Sequence, residues 1–171
     1  MIVYVLRHAE AIEANADLPD EWRYLTEKGI KSATTVSREI ARYGRKPRLI
    51  ICSPLVRAVQ TAQIAATCAC RKNELMVSGL LKGDGNHAEL LEFLFSRADA
   101  KRIMIVGHQP DLGAFVSHLL QEKGEPLQLK KAACVALELD SKEPGKPAEF
   151  LWYLEPGGKP VDSFKKAIAH N

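Results

Sequence analysis

The stretch from Ile2 to Glu10 reads IVYVLRHAE and places an arginine–histidine pair directly behind a short run of β-branched and apolar residues. A run of this length and composition predicts a buried β-strand over Ile2–Leu6. Polar residues that follow a buried strand stand at the edge of its sheet. Arg7 and His8 are therefore the first candidates for chemistry, and the rest of the chain decides what else reaches that edge.

Strand-like apolar runs alternate with helical patterns along the remaining sequence, without an internal repeat. Further strands are predicted at Leu49–Cys52, Leu75–Val77, Arg102–Val106, Cys134–Leu139 and Glu149–Leu154, and helices at Thr26–Tyr43, Val56–Cys68, His87–Arg97, Pro110–Leu120 and Val161–Ala169. Such alternation predicts one α/β domain over residues 1–171, a three-layer α/β/α sandwich around a mostly parallel central sheet.

Composition excludes several functional classes. Hydrophobic residues make up 46% and charged residues 26%, and the net charge is only +3. The basic residues are dispersed, so we expect no nucleic-acid partner. The N-terminus lacks the basic region of a signal peptide, and no stretch approaches the roughly 20 apolar residues that cross a bilayer. We therefore expect a cytoplasmic protein without a membrane partner.

The four cysteines give little sign of a metal site. They include one C-x-C spacing, at Cys68 and Cys70, and no C-x-x-C. Cys52 and Cys134 lie in apolar runs, where a free thiol behaves as a small hydrophobic group. We expect reduced thiols; a metal site built from Cys68, Cys70 and a histidine is the alternative. No acidic cluster or H-E-x-x-H is present, so we expect neither a metal nor another cofactor.

Three of the predicted strands end in chemically useful residues. Arg7 and His8 follow the first, Ser53 and then Arg57 follow the second, and His108 follows the fourth. Ligands of parallel sheets bind beyond the carboxyl ends of the strands. Arginine presents a planar fork of donors that matches phosphate oxygens, and a neutral imidazole can carry a phosphoryl group covalently. If these strands are neighbours, the residues predict a phosphoryl-transfer site; no P-loop pattern suggests a nucleotide instead.

The same residues fall in motifs that resemble those of the histidine phosphatase superfamily. Its R-H-G motif reads R-H-A at Arg7–Ala9, and its S-P-x-x-R-x-x-Q-T motif is met in full at Ser53–Thr61. The family's second histidine, which also follows a strand, corresponds to His108, and its L-T-x-x-G element corresponds to Leu25–Gly29. The matches cover the first two-thirds of the chain in the family's order. The resemblance implies the phosphoglycerate mutase-like fold.

The resemblance also implies residue roles and a subgroup. His8 would be the nucleophile, and Arg7, Arg57 and His108 would bind the phosphoryl group. The chain is most similar to the small bacterial phosphohistidine phosphatases, because it is short and its segment after the fourth strand matches theirs. Larger relatives insert a helical lid between the second and third motifs. Only fifty residues lie between Arg57 and His108, so we expect no large lid and an open, shallow site.

Two departures from the family's pattern bear on mechanism. Ala9 replaces the usual glycine, which is acceptable if the backbone there has no positive φ. Many relatives carry a glutamate shortly after the third strand, whereas this chain reads Ser78-Gly79-Leu80. Asp84 is the possible replacement proton donor, although its glycine neighbours equally suit a turn, and Glu89 is a weaker candidate. An imidazole leaves more easily than an alkoxide, so the missing acid favours cleavage of a P–N bond.

The sequence thus predicts a phosphatase that removes a phosphoryl group from phosphohistidine on a signalling or phosphotransfer protein, through a phosphorylated His8. Two alternatives stay open. One is a general phosphomonoesterase that acts on a small phosphate ester. The other is a catalytically weak module that binds phosphorylated proteins.

Overall fold

The computed structural model describes residues 1–69, 74–83 and 85–169. Its elements, in chain order, are β1 (Ile2–Arg7), α1 (Glu27–Tyr43), β2 (Leu49–Cys52), α2 (Val56–Ala69), β3 (Glu74–Val77), α3 (His87–Ser96), β4 (Arg102–Gly107), α4 (Asp111–Leu120), β5 (Cys134–Glu138), β6 (Glu149–Leu154) and α5 (Phe164–Ala169). Short 3₁₀ turns add Asp20–Trp22, Gly79–Leu81 and Ala98–Ala100. None of the helices within these ranges is long and apolar enough to span a bilayer.

The predicted order of strands and helices is confirmed, with one clear correction at the C-terminal end. The last helix begins at Phe164 rather than at Val161. Val161 instead exchanges two backbone hydrogen bonds with Tyr153 of β6, at 2.8 and 2.9 Å. Pairing with a strand edge satisfies its backbone groups outside a helix.

The six strands form one mixed sheet in the order β3-β2-β4-β1-β5-β6. The first four strands of that order run parallel, and β5 and β6 are antiparallel to their neighbours. β4 lies between β1 and β2, and its register sets Arg7 opposite Gly107. The carboxyl ends of β1, β4 and β2 therefore meet at one edge of the sheet, as the sequence predicts.

Helices cover both faces of the sheet, which confirms the three-layer sandwich. Alternate residues of β1 point to opposite faces. Val3 and Val5 pack in a buried cluster with residues of α3, α4 and α5. Tyr4 and Leu6 pack in a second cluster with residues of α1 and α2. In the described part of the chain between Arg57 and His108, the two helices and two strands leave no inserted helical lid.

The N-terminus of α1 is fastened to the segment that follows His8. The Thr26 side chain accepts a hydrogen bond from the Gly29 N–H (3.0 Å), the usual N-cap arrangement. Its hydroxyl also donates to the Glu10 carboxylate (3.1 Å). Gly29 lies so close to this segment that a Cβ at its position would overlap the Glu10 carbonyl oxygen. The L-T-x-x-G element thus brings α1 against the residues behind the first motif.

We expect Gly29→Ala to lower the free energy of unfolding by about 2 kcal/mol or more, because the added methyl meets a backbone atom that can move only with its segment. This cost outweighs the gain of about 1 kcal/mol from the higher helix propensity of alanine. Urea unfolding measures the difference. Gly124→Ala is the control, since no heavy atom lies within 4 Å of a Cβ there among the described residues. Equal stability of the two variants would contradict the packing argument.

Candidate active site

The structure brings Arg7, His8, Arg57 and His108 together at the carboxyl edge of the parallel strands. Arg7 ends β1, and His8 and His108 directly follow β1 and β4. Arg57 lies in the first turn of α2. The His8 N–H continues the pairing of the two strands by donating to the Gly107 carbonyl oxygen (3.0 Å). As a result the two imidazole rings lie side by side, with centroids 5.0 Å apart.

His8 is held in a form suited to nucleophilic attack. Its Nδ1 lies 2.7 Å from the Ala9 carbonyl oxygen, which can only accept, so Nδ1 carries the proton. Nε2 then keeps its lone pair. Burial lowers the pKa of His8 to about 3 despite the opposing hydrogen bond to Ala9, and the charges of Arg57 and Arg7 lower it further. The imidazole is therefore neutral at physiological pH, as attack on phosphorus requires.

Ala9 itself connects the first motif to the second. Its N–H donates to the Thr61 hydroxyl oxygen (3.1 Å), and that hydroxyl donates to the Arg57 carbonyl oxygen (2.7 Å). Ala9 is fully buried and is not among the described non-glycine residues with positive φ. An alanine is therefore accommodated where relatives have glycine, and the threonine of the second motif positions the loop that carries His8.

His108 is oriented by Ser53, a contact that the sequence motif did not predict. Its Nε2 lies 2.8 Å from the Ser53 hydroxyl oxygen, which already accepts from the Leu55 N–H (3.4 Å). Because a hydroxyl oxygen has two lone pairs as well as a proton, Ser53 can either donate to Nε2 or accept from it. Nδ1 is buried and has no hydrogen-bond partner among the described residues. Burial, followed by the charge of Arg57, lowers the pKa of His108 to about 4, so this ring is neutral at physiological pH.

The two arginines are each anchored on one side and keep further donors. Arg7 donates from Nη1 to the Leu129 carbonyl oxygen (2.6 Å). Arg57 donates from Nη1 to the Asp20 carbonyl oxygen (2.7 Å) and from Nη2 to its carboxylate (2.9 Å). Within the described ranges, the buried Nε of each guanidinium has no partner. Two fixed positive charges with spare N–H groups beside a neutral imidazole can hold a phosphoryl group.

Asp20 is the site residue that sequence reasoning missed. It begins the 3₁₀ turn Asp20–Trp22 in the connection between β1 and α1, and it also pairs with Arg23 at 2.6 Å. Burial raises the pKa of its carboxyl group, but hydrogen bonds from Arg23 and Arg57 outweigh that effect and lower it overall. The signal that could have found it is the length of this connection, since βα connections of nearly twenty residues are uncommon and usually functional.

A cleft of 880 Å³ opens beside Arg57. Its walls are formed by the 3₁₀ turn of Asp20 and by the residues that follow β3, and its described lining residues are Asp20, Glu21, Leu55, Arg57, Gly79, Leu80, Lys82, Gly85, Asn86 and Glu89. The Ser78 side chain caps the turn after β3 by accepting from the Leu80 N–H (3.3 Å). No carboxylate occupies Ser78–Leu81, while Glu89 is exposed on α3 and reaches the cleft wall.

Two candidates from the sequence lie outside the described residues. Asp84, the predicted proton donor, is one of them, and Cys70 of the alternative metal site is the other. Cys52, Cys68 and Cys134 are free thiols. In the ranges that the structure describes, no group of three or more histidine, cysteine or acidic residues is placed to hold a metal ion.

Comparisons with known proteins agree with this geometry. The family model of the histidine phosphatase superfamily (branch 1) matches residues 3–74. An uncharacterized protein of Picosynechococcus sp. is 34% identical over 140 residues, which cover 80% of this chain and 84% of that protein. The protein histidine phosphatase SixA complexed with tungstate superimposes with a TM-score of 0.81 at 21% identity, over 92% of this chain and 98% of its own.

Two further solved structures widen the range of similar proteins. A putative phosphohistidine phosphatase SixA from Agrobacterium tumefaciens gives a TM-score of 0.74 at 23% identity, over 91% of this chain and 98% of that chain. A putative α-ribazole-5′-P phosphatase from Escherichia coli gives 0.63 at 19% identity, over 95% and 96% of the two chains. The shared fold therefore serves both protein and small-molecule phosphatases.

We expect the imidazole resonances of His8 and His108 to stay constant between pH 5 and 8, because burial holds their pKa values at about 3 and about 4. NMR titration measures this, with His8→Asn and His108→Asn to assign the signals. In urea both residues should titrate near 6.5. As the pH falls, the unfolded chain therefore binds protons before the folded chain does. The free energy of unfolding should consequently decrease as the pH drops below about 6.5. A native midpoint above 6 would contradict the neutral pair.

Proposed function

Because the chain belongs to the histidine phosphatase superfamily and is a phosphatase, we propose that it acts through a phosphorylated His8 on phosphohistidine carried by another protein. One observation carries the proposal: neutral His8, with a free lone pair on Nε2, lies 5.0 Å from His108, and Arg7 and Arg57 keep unpartnered donors among the described residues. A nucleophile and an anion-binding pocket of this kind are the parts that phosphoryl transfer needs.

The first step follows from this geometry. His8 Nε2 attacks the phosphorus atom, the P–N bond of the substrate breaks, and the electron pair leaves with the substrate imidazole. When the other nitrogen of that imidazole carries a proton, the leaving group departs as neutral imidazole. Arg7, Arg57 and His108 stabilise the oxygens of the transferring group. Water then hydrolyses phospho-His8 and releases phosphate.

The surroundings of the site support phosphohistidine over an alkyl ester. An alkoxide needs a proton from the enzyme as it leaves, and general acid catalysis is typically worth 10²–10⁴-fold. The turn at Ser78–Leu81 offers no carboxylate for that purpose. The cleft beside Arg57 is wide and open, which suits a side chain presented by a signalling or phosphotransfer protein better than an enclosed metabolite.

A covalent intermediate on His8 can be trapped directly. We expect acid-labile phosphate on His8 when the protein is mixed with phosphoramidate and quenched in alkali, with mass spectrometry locating the added phosphoryl group. His8→Asn should carry none and should lose turnover by at least about 10³-fold, since it lacks the nucleophile. His118→Asn is the matched control, because His118 is exposed on α4. Full turnover by His8→Asn would remove the mechanism.

The choice of substrate is tested separately. We expect kcat/KM for a phosphohistidine-bearing phosphotransfer protein to exceed that for an alkyl phosphomonoester by about 10²-fold or more, because only the ester needs a general acid. Phosphate release measures both reactions. Faster hydrolysis of the ester would favour the small-molecule phosphatase. Binding of the phosphoprotein without phosphate release would favour the binding module.

A further inference from the structure

Hydrolysis of phospho-His8 needs a group that accepts a proton from water, and the first motif and the two arginines do not provide one. Three carboxylates line the cleft within the described ranges. Only that of Asp20 is hydrogen-bonded to one of the four predicted site residues, namely Arg57. Glu21 lies 3.6 Å from Lys82, and Glu89 is exposed on α3. Asp20 is therefore the carboxylate to examine.

Asp20 is the more exposed partner of the ion pair with Arg57, and it lines the cleft that opens beside that arginine. The side chain of Arg57 is only 7% exposed, whereas that of Asp20, bonded to it at 2.9 Å, is 57% exposed. A water that displaces His8 from phosphorus must approach in line, from the side opposite Nε2, where the leaving group has just departed towards solvent. Water that enters through the cleft beside Arg57 passes the Asp20 carboxylate, because Asp20 lines that cleft.

Arg57 can hold Asp20 and a phosphoryl group together. A guanidinium has five N–H donors, and the backbone oxygen and carboxylate of Asp20 take two of them. Of the remaining donors, the buried Nε–H has no hydrogen-bond partner in the described part of the chain. Binding of substrate therefore need not displace Asp20, and both anions can share one cation.

The protonation state of Asp20 suits a base. Hydrogen bonds from Arg23 and Arg57 outweigh burial and hold its pKa below the usual value, so the group is a carboxylate at neutral pH. It can accept a proton but has none to donate. A bound phosphoryl group adds negative charge nearby, which makes this carboxylate more basic when it is needed.

We propose that Asp20 is the general base for hydrolysis of phospho-His8, an inference that rests on the proposed function. The water oxygen forms its bond to phosphorus while the P–Nε2 bond breaks and its electron pair returns to Nε2. The proton of the water moves to the Asp20 carboxylate and then to solvent. His8 is left neutral with its proton on Nδ1, and phosphate departs as the dianion, so that atoms and charge balance.

The experiment separates formation from breakdown of the intermediate in Asp20→Asn, whose amide oxygen can still accept from Arg57. After rapid mixing with phosphoramidate, we expect phospho-His8 to form at close to the wild-type rate and to accumulate. Its breakdown should slow by about 10²–10³-fold. Asp17→Asn, an exposed position in the same connection, should break down the intermediate at the wild-type rate. Asp20→Glu should recover part of the rate, since it restores a base.

The pH dependence distinguishes a base from a merely structural residue. In the wild type, the rate of phospho-His8 breakdown should fall at acid pH as Asp20 becomes protonated. In Asp20→Asn, the pH–rate profile should lack this fall. Equal slowing of formation and breakdown in Asp20→Asn would show that Asp20 only holds Arg57, and would overturn the inference, as would unchanged breakdown. If wild-type protein forms no phospho-His8, the proposed function fails and this inference fails with it.

Discussion

The parallel pairing of β1 with β4 is the constraint on which the site depends. Its register sets Arg7 opposite Gly107, so the residues that follow, His8 and His108, leave the sheet at the same level. The backbone bond from the His8 N–H to the Gly107 carbonyl oxygen extends this pairing by one residue. A slip of one residue would turn every side chain of β1 to the other face. The rigid core of the sheet therefore determines the distance between the two imidazoles.

Burial then determines the chemistry of those imidazoles. Two histidines beside two arginines would repel one another if protonated, and desolvation already disfavours their charged forms. Both effects act in the same direction, so the site keeps its positive charge on arginine and its lone pair on His8. The hydrogen bond from His8 to the Ala9 carbonyl oxygen then places the proton of His8 on Nδ1, and the contact with Ser53 orients the His108 ring.

Local patterns in the sequence were enough to predict the scaffold and the four residues at the strand ends. Each is read from a neighbour in sequence: an apolar run predicts a strand, and the residue behind it stands at the sheet edge. The start of α5 was predicted too early because Val161 pairs with β6, a contact that no local pattern reveals. Asp20 was missed for the same reason, since it meets Arg57 across 37 residues of sequence. The orienting bond from Ser53 to His108 spans 55 residues and was equally hidden.

The position of Asp20 bears on the sequence Ser78-Gly79-Leu80 after β3, where many relatives carry a glutamate. A carboxylate in a neutral setting can serve as an acid, whereas one bonded to two arginines stays ionised. Such a group aids the step in which water loses a proton and does not aid the step in which an alkoxide must gain one. An arginine-bound carboxylate in the β1–α1 connection would thus support hydrolysis of the intermediate without an acid in the turn Ser78–Leu81. Leaving groups such as imidazole, which depart without the enzyme's proton, suit a first step in which that turn supplies no acid.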